Sequence, residues 1–117
     1  MKVPKSDFVH FEKCCKRWID FWGLYEWRIE FEFGCYDGDR ANAEFNNQGR
    51  TAVLMLSDKI KLSPFQIEES AFHEVCELML ADDYHYMKTH GVPEEKINVS
   101  LHNIIRRLEN CVFKKLK

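Results

Sequence analysis

Apolar and polar positions change their period several times along the chain, and each change predicts an element. Phe8, Phe11, Cys15, Trp18, Ile19 and Trp22 recur at helical spacing, with Lys13, Lys16, Arg17 and Asp20 off that stripe. Ser6 is placed to cap this helix from Asp7, and Gly23 to end it. The helix is expected to cover a sheet. From Tyr25 to Phe33 the period drops to two. Tyr25, Trp27, Ile29, Phe31 and Phe33 point one way and Glu26, Arg28, Glu30 and Glu32 the other, the mark of a strand with one wet face.

Tyr36-Asp37-Gly38 then turns the chain. A two-residue turn at Asp37-Gly38 would set Phe33 against Asn42 and Phe31 against Glu44, with polar groups inside. A three-residue loop with Gly38 left-handed instead pairs Phe33 with Ala41, Phe31 with Ala43 and Ile29 with Phe45. The same rule at Asn47-Gln48-Gly49 pairs Phe45 with Thr51 and Ala43 with Val53. Leu54 and Leu56 of the third strand, residues 50–57, then fall on the outer face, so that strand is covered on both sides or borders a groove.

Ser63-Pro64 opens a second long helix, with serine as cap and proline at the first helical position, running to Leu80 or Ala81. Asp82-Asp83-Tyr84-His85-Tyr86 shows no clear period, and His90-Gly91-Val92 reads as a loop. Pro93-Glu94-Glu95 opens the last helix, whose buried stripe is Ile97, Leu101, Ile104, Ile105, Leu108 and Val112. Arg106, Arg107, Lys114, Lys115 and Lys117 fall late in it, where cations suit the helix dipole. The expected fold is α+β over a single domain, residues 1–117: an N-terminal helix, a three-stranded antiparallel meander, a buried helix and a closing helix.

Composition narrows the function. A chain of 117 residues with 45% hydrophobic and 14% aromatic content is globular and of single-domain size. A net charge of −2 gives no basic footprint, so nucleic acid is not the expected partner. No apolar run approaches the roughly 20 residues of a membrane span, and Met1-Lys2-Val3-Pro4-Lys5 does not read as a signal peptide. Five cysteines, an odd number with no Cys-x-x-Cys pair, fit free thiols in a reducing, cytoplasmic setting and give no four-cysteine zinc site. Cys76 and Cys111 read as small core residues.

The candidate chemistry lies in Ala-Phe-His-Glu-Val-Cys-Glu-Leu-Met-Leu, residues 71–80. His73 and Glu77 share one helix face, and Glu74 stands one step round from them. Phe72, Val75, Cys76, Met79 and Leu80 take most of the remaining surface, so a largely buried helix carries a narrow polar stripe. Buried charge is costly unless paired or bound to a metal. The pattern is one residue from His-Glu-x-x-His, in which two histidines hold zinc and the glutamate is the general base. A third ligand must come from elsewhere. His102 at the edge of the last helix's apolar stripe is the first choice, with Glu109, His85 and His90 as alternatives and Glu109 also placed to orient a ligand from behind. Two imidazoles and one carboxylate match a known zinc donor set, and Glu74 would act as acid/base on the water. In the metal-free alternative His73 is a core histidine bonded to a carboxylate, while Glu74 and Glu77 pair with arginines such as Arg106.

The element order, with Trp27-Arg28-Ile29, Ala52-Val53-Leu54, Phe72-His73-Glu74-Val75-Cys76 and His102-Asn103-Ile104-Ile105-Arg106-Arg107-Leu108-Glu109, resembles the small zincin-like metallopeptidases of phage and prophage genomes, SprT-like in outline. The resemblance spans nearly the whole chain, with the His-Glu pair as its one sharp motif. It implies zinc, His73 as ligand, Glu74 as catalytic acid/base and a ligand where His102 stands. The family's second histidine falls on Glu77, whose charge lowers the Lewis acidity of the metal. Two functions follow: a zinc-dependent peptidase acting on a peptide or protein, with the third strand offering its edge to substrate, or an inactive zincin-like scaffold that binds a host protein, as a phage-encoded inhibitor would.

Overall fold

Local chemistry fixes the ends of each element in the computed structural model, which describes residues 3–116. Helix α1 (Lys5–Trp22) starts from Pro4, so Ser6 lies inside its first turn and makes no cap bond. It ends at Gly23, whose φ of 69° is the left-handed conformation that glycine adopts at least cost. Helix α2 (Pro64–Met79) opens with a full capping box: Ser63 Oγ accepts from Gln66 N–H, and the Gln66 side chain accepts from Ser63 N–H.

The α+β class holds, but the sheet is not a meander. Strands β1 (Arg28–Phe33), β2 (Ala41–Asn46) and β3 (Thr51–Leu56) lie in the order β1-β3-β2, with β1 parallel and β2 antiparallel to β3. The expected inward set of Ile29, Phe31, Phe33, Ala41, Ala43 and Phe45 does share one face. It meets that face through β3, pairing Phe31 and Ala43 with Leu54, and Phe33 and Ala41 with Leu56. Hydrophobic burial accounts for the insertion: β3 is the most apolar strand, and as the central one it buries Leu54 and Leu56 to 0% and 1% exposure. The β2–β3 register differs by one residue from the expected pairing, Phe45 lying opposite Ala52. The loop between them is Asn47–Arg50, with Arg50 at φ 53° and Asn46 Oδ1 accepting from Gly49 N–H at 2.9 Å. That single step returns Leu54 and Leu56 from the outer face to the core.

Ser57 N–H donates to Arg40 C=O at 2.9 Å, which sets the phase of the antiparallel ladder. Hydrogen-bonded and non-bonded pairs alternate. The backbone groups of Ala41, Ala43 and Phe45 therefore face away from β3, along the free edge of β2. The edge of β3 is not open to an added strand, because β3 is paired on both sides; the free edges are those of β2 and of β1.

Helix α1 covers chiefly the back of α2 and only one end of the sheet. Trp18 meets Phe72 edge-on at 4.7 Å between centroids, and Phe72 meets Phe113 at 5.2 Å, while Phe8 stacks on Phe33 at 5.2 Å. Phe72 has no exposed surface; truncating such a ring to alanine costs about 3–5 kcal/mol.

Residues 81–89 form a helix, α3 (Ala81–Thr89), where no period was visible. It buries only Ala81, so it has no stripe to read. Helix α4 (Glu94–Leu108) buries Ile97, Leu101 and Ile105, and runs into a π-helical turn, Glu109–Phe113, then a last short helix, α5 (Lys114–Leu116). The wider turn shifts the register of the stripe. Phe113 is buried and Cys111 is exposed instead of being a core residue; Ile104, which precedes the turn, is 38% exposed on α4 itself. Cys76 is fully buried as expected.

Candidate metal centre

The helix α2 carries His73 and Glu77 one turn apart, and their side chains meet: His73 Nε2 lies 3.1 Å from Glu77 Oε2. Helix α4 brings His102 against the same face, its ring stacked on that of His73 with centroids 5.4 Å apart and planes 29° apart. One ligand atom from each of His73, Glu77 and His102 falls within 4.8 Å of the other two. Ligand atoms on tetrahedral zinc stand about 3.3 Å apart, so small side-chain rotations close the set. His73, Glu77 and His102 are the one group of three metal-ligating side chains brought together among the described residues. His85 and His90 are exposed on and just after α3, outside that group.

The surroundings suit a cation. His102 Nδ1 lies 2.8 Å from the Asn98 carbonyl. A carbonyl only accepts, so Nδ1 carries the proton and Nε2 keeps its lone pair for a ligand. Asn98 is four residues back on the same helix, a partner that helix geometry offers any such histidine. On the other side Glu109, at the first position of the π-helical turn, sits 3.6 Å from His73 Nδ1, as an orienting partner would. Glu109 thus stands behind His73, outside the group of three, and His102 is the residue that joins His73 and Glu77 in it.

Charge tells the same story. Burial pulls the His73 imidazolium down, but the hydrogen bond to Glu77 and the fields of Glu74, Glu77 and Glu109 outweigh it and hold its pKa up at about 9. Glu74 is 6% exposed. Burial raises its carboxyl to about 8, with further upward pushes from the Glu77 charge and a hydrogen bond to Glu77, against a downward pull from His73. Among the described residues no lysine or arginine reaches these three glutamates, and Arg106 is exposed and pairs with none of them. Among the described residues the expected arginine ion pairs are therefore missing, and His73 is the cationic group in direct contact with these carboxylates.

Two clefts open from the cluster. One of about 370 Å³ is polar, walled by Asp39, Arg40, Glu69, His73, Glu74 and Glu109. The other, about 310 Å³, starts at Glu77 and His102 and runs between β2, α3 and α4 over Phe45, Leu80, Leu101 and Ile105. The free edge of β2 passes both, with Ala41 at the first and Ala43 and Phe45 at the second. Sequence reading did not foresee this second cleft, because Tyr84 and Glu94 at its rim belong to a segment without period and to a helix start.

His73, Glu77 and His102 form a group able to hold a metal ion. Among the described residues no helix is long and apolar enough to cross a membrane. Set against protein-family models, curated proteins and solved structures, the chain matches none of them.

Proposed function

We propose that the protein is a metal-dependent hydrolase cutting peptide bonds, with His73, Glu77 and His102 holding zinc and Glu74 as the general acid/base. The observation that supports it most is the convergence of the three side chains within 4.8 Å beside a buried carboxyl whose pKa is about 8. Two histidines and a carboxylate are a zinc donor set, and the three-residue set leaves a coordination position for substrate. Bound there, zinc would polarise a carbonyl and make water a nucleophile near neutral pH.

The chain's own residues supply the rest. Glu74, buried beside the three side chains, is placed to accept a proton from the attacking water and return it to the departing amine. The unpaired backbone of Ala41, Ala43 and Phe45 offers hydrogen bonds to an extended peptide laid along β2. Glu109 and the Asn98 carbonyl hold the two imidazoles in place.

One observation favours a second reading. Glu77, one of the proposed ligands, is a carboxylate whose charge already bears on the buried Glu74, and a charged ligand makes a weaker Lewis acid. On that reading the protein is a zincin-like scaffold that keeps the metal and binds a protein target, such as a host protein if the gene is a phage's. Glu74→Gln decides between them. The hydrolase reading expects peptide cleavage by zinc-loaded protein to fall by about 10²–10⁴ with metal content and fold kept. Unchanged behaviour of the variant, or no cleavage by the parent, transfers the case to the scaffold.

A further inference from the structure

Helix α3 and the junction before it wall one side of the cleft that ends at Glu77 and His102, through Leu80, Ala81 and Tyr84. Little apolar packing holds the helix there. Ala81 is the one residue it buries, and Tyr84 and Met87 are half-buried. Polar ties do the holding. At its start Asp82 Oδ1 takes the Arg50 guanidinium at 2.6 Å and the Asn47 amide at 3.1 Å, both from the loop between β2 and β3. Further on, the Tyr84 hydroxyl donates to Glu94 at the start of α4, and Lys88 Nζ stands 3.6 Å from the same carboxylate. Tyr84 and Glu94 thereby meet at the rim of the cleft. The Asp82 and Glu94 side chains are 62% and 60% exposed, and ties of that kind hold weakly because water competes for both partners. A segment with few buried contacts opens at a fraction of the cost of global unfolding. The backbone at both ends allows it. Leu80, between α2 and α3, leaves helical geometry at φ −97° and ψ 8°, and Gly91, just past the helix, has φ 83°. Element ends of this sort serve as hinges.

We propose that α3 is a hinged lid on this cleft, closed by the Asp82 and Glu94 ties and opening about Leu80 and Gly91. Opening bares the floor of Leu101 and Ile105 and the side of the candidate metal centre formed by Glu77 and His102. Closed, the cleft holds about 310 Å³, the low end of ligand pockets. With Ala81 and Tyr84 lifted away it widens toward solvent and admits a bulkier group. Each set of ties includes an ion pair at the surface, which salt screens, so the open share rises with ionic strength. The lid controls access to Glu77 and His102 whether the protein is a hydrolase or a scaffold.

Hydrogen exchange read by mass spectrometry and the binding of a dye, both on the full chain without added metal, test the lid. In the parent, amides of residues 84–89 are expected to exchange faster than those of α2 and α4, at a rate that low urea leaves unchanged, as local opening does. Asp82→Ala combined with Glu94→Ala should raise that exchange about 2- to 30-fold, the effect of losing two exposed sets of ties. Fluorescence of anilinonaphthalene sulfonate should rise with it as the apolar floor is bared. Tyr84→Phe, which removes one tie and no charge, serves if the double variant misfolds. Asp37→Asn, which breaks an exposed pair with Lys59 elsewhere on the surface, should change neither readout. Added sodium chloride should quicken exchange of α3 in the parent and not in the double variant. Exchange of α3 only through global unfolding overturns the lid, as does unchanged exchange in the variants. Faster exchange with no gain of dye, or the same response to salt in both proteins, overturns it equally.

Discussion

The rings of His73 and His102 stack at 5.4 Å although they come from different helices. Two imidazolium ions at that spacing repel, so the stack is most stable with one shared positive charge at its edge. In the metal-free chain a proton on His73 fills that place, drawn by Glu77 at 3.1 Å and Glu109 at 3.6 Å. A divalent ion between the two rings and Glu77 would fill it better.

Removing one ring should therefore remove the ion. His102→Ala is expected to abolish stoichiometric zinc, measured by elemental analysis of protein purified without a metal-binding tag, while circular dichroism stays that of the parent. His102 is only half-buried, so little core packing is lost. For the parent, zinc at 100 times its dissociation constant should add about 2.7 kcal/mol of stability, and the variant should gain none. A variant that keeps one zinc per chain would remove His102 from the site.

The pH dependence follows from two raised pKa values. His73 stands at about 9 against an ordinary 6.5, so the folded chain holds this proton more tightly than the unfolded one; its contribution is full below pH 6.5 and is lost as pH rises through 9. Glu74, at about 8 against 4.5, contributes fully below pH 4.5 and loses its part as pH rises through 8. Both slopes have the same sign. The metal-free protein should lose stability steadily from pH 5 to 9, read as a falling urea midpoint. Zinc must displace the His73 proton, so its apparent affinity should climb about tenfold per pH unit and level off near pH 9. A flat affinity over that range would show that His73 is not a ligand.

How far the sequence spoke for this site depends on which interaction carries the information. His73, Glu74 and Glu77 were legible because one helix face fixes their spacing, and His102 because it borders a readable apolar stripe. The sheet was half legible. Parity along β1 and β2 correctly put Ile29, Phe31, Phe33, Ala41, Ala43 and Phe45 on one face, but parity says nothing about strand order. Order is set by which strand gains most from having two neighbours, a competition between Leu54 and Leu56 and everything else. Helix α3 and the π-helical turn left no mark, the first because it buries one alanine and the second because it interrupts a period.

Glu109, where α4 passes into the π-helical turn, sets its carboxylate 3.6 Å from His73 Nδ1. Glu109→Gln keeps the shape and removes the charge that steadies the His73 Nδ1 proton. Partners of this kind are worth about 10–100-fold in metal affinity, and zinc binding measured by competition with a chelator should weaken by that factor with thermal stability of the metal-free form little changed. Undiminished affinity would reduce Glu109 to a neighbour.

Glu77 is where this chain departs from His-Glu-x-x-His, and restoring the histidine probes the departure directly. In Glu77→His the metal would lose an anionic ligand and gain a neutral one, which raises its Lewis acidity. The same change removes the charge and the hydrogen bond that help burial push the Glu74 carboxyl up to about 8. Glu74 should then ionise at lower pH, and the acid limb of the pH–rate profile should move down with it. The expected result is a variant that still holds one zinc and cleaves peptides faster than the parent, with the larger gain below pH 7. Should the parent be inactive and Glu77→His active, the chain would be a scaffold one substitution away from an enzyme. Loss of zinc in Glu77→His would mean that the spacing of α2 and α4 is set for a carboxylate reach, and that the charge at position 77 is part of how this site holds its ion.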